Sequence, residues 1–211
     1  MGNRTIRVRG SAEISAPPDT TVISFEVESR NYDYGACMER LAEKTENLRQ
    51  EMVSVGLERD QLKTIHFDVS TEYERIYEKR KFRGYKAYHR LKVEFPLDKD
   101  YLNKVLQVLS NTESHASFDI AFKIADPDPF RHQVIAKAVE NSRAKARVLA
   151  EAANVKLGEI VYIDYSWSEV RFESDFSIET MSSPLEAPNF DFSPEDVDVS
   201  DSVTVVWEIT N

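Results

Sequence analysis

Apolar and polar residues alternate with period two in six segments of the chain, the pattern of a strand that buries one face. Ile23, Phe25 and Val27 carry it first, followed by Ile65, Phe67, Val69, Thr71 and Tyr73. Leu91, Val93, Phe95 and Leu97 repeat it, as do Phe118, Ile120, Phe122 and Ile124. Val161, Ile163, Tyr165 and Trp167 form another run, and Val203, Val205, Trp207 and Ile209 the last. Ile6 and Val8 predict a short strand before Gly10. Elsewhere the apolar positions step by three and four, which puts them on one face of a helix. Leu41, Thr45, Leu48 and Met52 predict a helix over about residues 34–54, ended by Gly56. Leu102, Val105, Leu106 and Leu109 predict one over about 99–111. Ile135, Ala138, Val139, Ser142, Ala146 and Leu149 predict a long one over about 127–152, with Asp126 as N-cap and Pro127 in the first turn.

The resulting order is ββαββαβαββ. Its middle part, residues 22–124, reads βαββαβ, the split βαβ arrangement of a ferredoxin-like sheet covered by helices. The fold class is therefore α+β. A ferredoxin-like core is extended by a further helix and C-terminal strands, which either lengthen the first sheet or build a second small one. The run Lys79-Arg80-Lys81-Phe82-Arg83-Gly84 falls where a hairpin should turn, with Gly84 as the turn residue. We read residues 1–211 as one domain with an acidic insertion containing Pro and Phe at about 168–198.

Charge changes this picture. The 211 residues are 41% hydrophobic and 30% charged, as in ordinary globular chains, and no apolar run approaches the length of a membrane span. The net charge of −10 argues against nucleic acid as the default partner. From Asp164 onward 12 acids are opposed only by Arg171, so the preceding body is nearly neutral. A like-charge block of this kind is ordinarily solvated, although Phe172, Phe176, Phe190 and Phe192 give it something to bury. The opposite charge gathers in residues 73–92, where eight cations face Glu74 and Glu78. Arg75, Lys79, Arg80, Lys81, Arg83, Lys86 and Arg90, with Tyr77, Phe82 and Tyr85, make this hairpin the candidate interaction surface. Three readings stay open. Its cations keep a strand edge soluble, it joins copies of the chain, or it holds an anionic ligand or single-stranded nucleic acid between cations and rings. If it joins copies or closes on its own chain, the acidic region 164–198 is its expected partner.

Catalytic chemistry finds no foothold. His66, His89, His115 and His132 stand on different predicted elements, none with a second ligand at metal spacing. His66 and His89 could meet across paired strands. No serine lies in a nucleophile elbow, no glycine-rich phosphate loop is present, and the tail acids lack calcium-loop spacing. Cys37, the sole cysteine, begins a predicted helix, which would favour a thiolate, but Glu39 and Glu43 oppose that. Its alternative is a small buried hydrophobe. We expect no enzyme activity, no cofactor and no metal. The polar start Met1-Gly2-Asn3-Arg4-Thr5 lacks an apolar signal core, which predicts a cytoplasmic protein as written, or a periplasmic or exported one if a leader was removed.

Read in order, several short motifs resemble the SIMPL-domain family, bacterial proteins that include the periplasmic immunogenic proteins. Val8-Arg9-Gly10-Ser11-Ala12-Glu13 and Pro18-Asp19-Thr20 are similar to its first strands, and Gly84-Tyr85-Lys86-Ala87 to its G-Y-x-A segment. Asp126-Pro127, then Ala138, Arg143-Ala144-Lys145-Ala146 and Leu149-Ala150, resemble its alanine-rich helix, and Gly158-Glu159-Ile160 and the Val203-Val205-Trp207 strand also fit. The resemblance implies an α+β fold that assembles into homo-oligomers, some ring- or channel-like, linked to stress tolerance or to protein partners. It supplies no catalytic residues. This chain departs from the family in showing no export signal and in having Pro194-Glu195-Asp196 where a glycine turn usually precedes the last strand.

Overall fold

A computed structural model describes residues 4–76, 79–110, 116–165 and 191–211. Its elements are β1 (Thr5–Ala16), β2 (Thr20–Asn31), α1 (Tyr34–Ser54), β3 (Lys63–Ile76), β4 (Lys79–Pro96), α2 (Lys99–Ser110), β5 (Ser117–Lys123), α3 (Asp128–Ala152), β6 (Lys156–Asp164) and β7 (Val197–Thr210). The order is the predicted one, and the class is α+β. The chain forms two compact units, one built on β2, α1, β3, β4, α2 and β5, the other on β1, α3, β6 and β7.

The first unit is a four-stranded sheet in the order β3-β4-β2-β5 with every neighbouring pair antiparallel, the ferredoxin-like arrangement. Alternate residues of the central strands, among them Ile23, Phe25, Val27, Ala87, Leu91 and Val93, share one core with Leu41, Leu48 and Met52 of α1 and Leu102 and Val105 of α2. Each large side chain buried there contributes about 1.5–3 kcal/mol. The ends of α1 are set locally. Asp33 Oδ1 accepts a hydrogen bond from the Ala36 N–H at 2.9 Å, satisfying a free helix-start donor. At the other end Gly56 takes a φ of 99°, so the Leu57 N–H can return to the Met52 carbonyl.

The second unit is a separate three-stranded antiparallel sheet, β1-β7-β6, so these strands do not lengthen the first. β1 is longer than Ile6 and Val8 suggested, because it pairs with β7 from Thr5 opposite Glu208 to Ala16 opposite Val197. Its inward positions include Gly10, Ala12 and Ala16, too small for a hydrophobic pattern to register. Those small residues have a purpose: α3 lies directly on β1. A Cβ built on Gly10 would overlap the Ala138 carbonyl oxygen and the Ser142 backbone. The buried face of α3 is accordingly Val134, Ala138, Ser142, Ala146 and Ala150 at strict four-residue steps. Leu149, predicted on that face, is exposed, since a leucine cannot fit where backbones approach this closely. The helix begins one residue later than predicted, so Pro127 and not Asp126 takes the N-cap position and no side chain caps it; Asp126 stands one residue ahead, its Oδ1 accepting from the Asp128 N–H at 3.2 Å.

Two strands depart from their predicted burial. Ile65 and Phe67 of β3 are 51% and 47% exposed, and Tyr73 is exposed with them. On β6, Val161 and Ile163 are exposed together with Ile160 and Tyr162, and Tyr165, one residue past the strand, is exposed as well. Both are edge strands, and the helices pack elsewhere: α1 over β2 and β4, α3 over β1 and β7. Period-two patterning finds a strand but does not say whether anything covers it. Trp167 lies outside the described residues.

Candidate functional site

The hairpin of β3 and β4 pairs as far as Ile76 opposite Lys79, so Gly84 is not its turn residue. Gly84 instead sits in β4 at a bulge opposite Glu72 and Tyr73, with φ 126°. A Cβ there would come within 2.5 Å of the Asn31 carbonyl oxygen. Of the candidate residues, Tyr77 lies outside the described residues and Lys79 is placed by its backbone pairing alone.

The remaining cations divide into two groups. Those toward the body of the sheet are met by acids of neighbouring strands. Arg90 pairs with Glu26 directly across the ladder at 2.6 Å, and Lys86 with Glu28 at 2.8 Å. Arg83 pairs with Glu74. Glu94 lies between Lys92 and Lys123. Burial works to raise the pKa of Glu28, but the hydrogen bonds and charges of Lys86 and Arg30 outweigh it and hold the carboxyl below its ordinary value. Glu94 is lowered against burial in the same way by Lys123 and Lys92. Four of the eight cations of this segment, Arg83, Lys86, Arg90 and Lys92, are thus met by acids. Toward the hairpin end, Arg75 and Lys81 have no acidic partner among the described residues, and the Arg80 guanidinium stands 4.6 Å from the centre of the Tyr73 ring.

The aromatic residues pack on each other. Phe82 meets Tyr73, Tyr85 and Tyr32 edge-on at 5.8, 5.4 and 5.1 Å, and Tyr85 meets Tyr34 at 5.3 Å. Tyr32 and Tyr34, on either side of the β2–α1 turn, were not singled out from the sequence, because they stand about fifty residues from the hairpin. Edge-on packing ties up ring faces that stacked bases would need.

The histidines do not share a site. Register puts His66 opposite Arg90 and Phe67 opposite His89, so the two imidazoles lie on opposite faces of the sheet. His66 stacks on Tyr88, whereas His89 lies between Thr45 and Thr64, 3.4 and 2.8 Å away. Burial, then the nearby Arg49 charge, lowers the His89 pKa. His115 lies outside the described residues. Cys37 is buried, its thiol near the Ser29 hydroxyl at 3.2 Å and the Tyr85 carbonyl at 3.5 Å. Most of the predicted acidic insertion, residues 168–190, also lies outside them. Of its described part, Asp191 pairs with Lys99 at 2.7 Å and Phe192 is buried against Phe122.

The described residues thus define an α+β protein of two antiparallel sheets, whose chemistry lies on edge strands and charged ladders. Among them no three His, Cys, Asp or Glu side chains gather as a metal site, and no helix is long and apolar enough to cross a membrane. The SIMPL family, described as a protein of unknown function (DUF541), matches residues 6–207, and the chain belongs to it. It is also similar to the uncharacterized protein YggE of Edwardsiella ictaluri (strain 93-146), with 22% identity over 168 residues, 79% of this chain and 70% of that protein. The motifs that carried the resemblance now have physical roles. Gly10 admits α3, Gly84 makes the bulge, and Ala87 is buried in the core beside α1.

Proposed function

We propose that this chain is a non-enzymatic, self-associating protein in which edge strand β3 of one copy meets edge strand β6 of another. The observation that carries the reading is the succession of exposed apolar residues on β6, Ile160, Val161, Tyr162 and Ile163, on an edge that no other strand among the described residues pairs with. Natural proteins blunt a free edge with charges or proline, and a long apolar one left open is a template for another strand. β3 offers the matching half, with Ile65, Phe67 and Tyr73 exposed. Charge favours joining unlike edges. The β3 hairpin ends in Arg75, Arg80 and Lys81, while the β6 sheet carries Asp198 and Asp201 on β7 and, on β6, Asp164, which also meets Arg7. Ion pairs of this kind are each worth about 0–1 kcal/mol, so they select the partner edge while apolar burial holds it.

The test is native mass by light scattering behind a sizing column, for the parent chain and for Val161→Lys/Ile163→Lys. Both positions are exposed, so the substitutions leave the fold intact. A defined multimer in the parent and a monomer in the variant is the expected result. A monomeric parent, or a variant of unchanged mass, overturns the reading. The rival in which the hairpin binds single-stranded nucleic acid requires a complex that weakens steeply with salt, and the balanced ladder of Glu26, Glu28 and Glu94 speaks against it.

A further inference from the structure

We infer that α3 keeps the outer edge of β1 closed to any added strand, through Asn141 and Lys145, and so leaves strand addition to the uncovered edges. β1 is an edge of the second sheet, with β7 on one side and no strand on the other among the described residues. Residues two apart on a strand turn their N–H and C=O groups to the same side. Arg9 and Ser11 are such a pair, and both turn away from β7 to meet side chains of α3. The Ser11 N–H donates to Asn141 Oδ1 at 3.2 Å, and Lys145 Nζ donates to the Arg9 carbonyl at 3.3 Å. An incoming strand would need that donor and that acceptor in succession, and both are taken.

The helix reaches the edge because Gly10, between these two residues, lets it sit close: a Cβ there would overlap the Ala138 carbonyl oxygen. The buried row of α3 includes Ser142 and Ala146, and Asn141 and Lys145 stand one residue ahead of each. They therefore lie one turn apart on a single flank of the helix, the flank over the edge of β1. The first unit repeats the device. β2 pairs with β5 only as far as Glu26 opposite Ser117. Two residues further on, α1 supplies Lys44, whose Nζ donates to the Glu28 carbonyl at 2.9 Å. Among the described residues no helix side chain bonds to the backbone of β3 or β6 in this way. Covering an edge is one way in which proteins prevent strands from adding to it. This inference rests on the self-association reading only for which edges stay open, since the cover over β1 has contacts of its own.

The test uses the full chain with Asn141→Ala/Lys145→Ala, alone and together with Val161→Lys/Ile163→Lys. Neither Asn141 nor Lys145 is buried and alanine favours a helix, so the fold is retained. In the β6 lysine background at low concentration, deuterium exchange of the Ser11 amide should quicken about tenfold or more when Asn141 and Lys145 are removed. At higher concentration the mass from light scattering should rise even where β6 carries both lysines, because β1 then accepts a strand. Asn141→Asp/Lys145→Arg keeps an acceptor and a donor, and should behave as its parent in both measurements. An unchanged Ser11 exchange rate, or an uncovered chain whose mass equals that of its parent, overturns the inference. The two readings fail separately. A parent that is monomeric, but associates once β1 is uncovered, overturns the β6 contact and upholds the cover. A parent multimer that the β6 lysines dissociate, and that uncovering β1 leaves unchanged, does the reverse.

Discussion

Gly84 shows how much one residue can hold in this fold. Its φ of 126° is a backbone conformation that residues with a Cβ rarely adopt, and the space beside it is filled by the Asn31 carbonyl. Gly84→Ala should therefore cost about 1–3 kcal/mol, through strain and displacement of the end of β2. Urea unfolding would register this as a lower midpoint with an unchanged slope. His89 sets a different kind of dependence. Burial and the Arg49 charge hold its folded pKa below 6.5, so the unfolded chain takes up a proton first as pH falls. The contribution is intact above pH 6.5 and is lost progressively as pH falls toward and through the lowered folded value. His89→Gln should flatten that part of the stability-against-pH curve. A curve of unchanged slope between pH 7 and 5 would show that His89 does not set it.

At the scale of elements, the decisive event is the seating of α3 on β1 and β7. The helix has little apolar contrast along its length, and what holds it is close approach: Ala138, Ser142 and Ala146 facing Gly10, Val8 and Val205. Interiors packed this tightly resist added volume. Ala146→Leu should accordingly destabilise the second unit by about 1–3 kcal/mol even though leucine is an excellent helix former. The same substitution at exposed Ala144 should be nearly silent. Thermal melts of the two variants compare packing with propensity directly, and equal melting temperatures would mean that α3 is not seated as described.

For the whole molecule, the proposed contact between unlike edges predicts how assembly responds to salt. Raising ionic strength to about 0.5 M shortens the screening length to roughly 4 Å, which weakens exposed ion pairs but leaves apolar burial in place. The multimer should lose affinity by a modest factor in salt while its subunit number stays the same, and Val161→Lys/Ile163→Lys should dissociate it at any salt. Complete dissociation by salt with no effect of the β6 substitutions would transfer the contact from the apolar edge to the charged hairpin. A heterologous contact of this kind either closes into a ring or propagates, and a mass that stops growing with concentration distinguishes closure.

Sequence alone determined the elements and their order, because periodicity, caps and glycine stops are local: Leu41 to Met52 states a helix, Gly56 ends it, and βαββαβ limits the sheet to few arrangements. It also identified the cations, rings and acids from which any surface here is made. Tertiary structure decided what those residues face. Arg90 and Lys86 are neutralised by Glu26 and Glu28, some sixty residues away, and Ile65 and Ile163 are uncovered because the helices settled on other strands. Charge balance and cover are relations between distant segments. A local pattern supplies the groups, and only the packed chain brings them together or leaves them exposed.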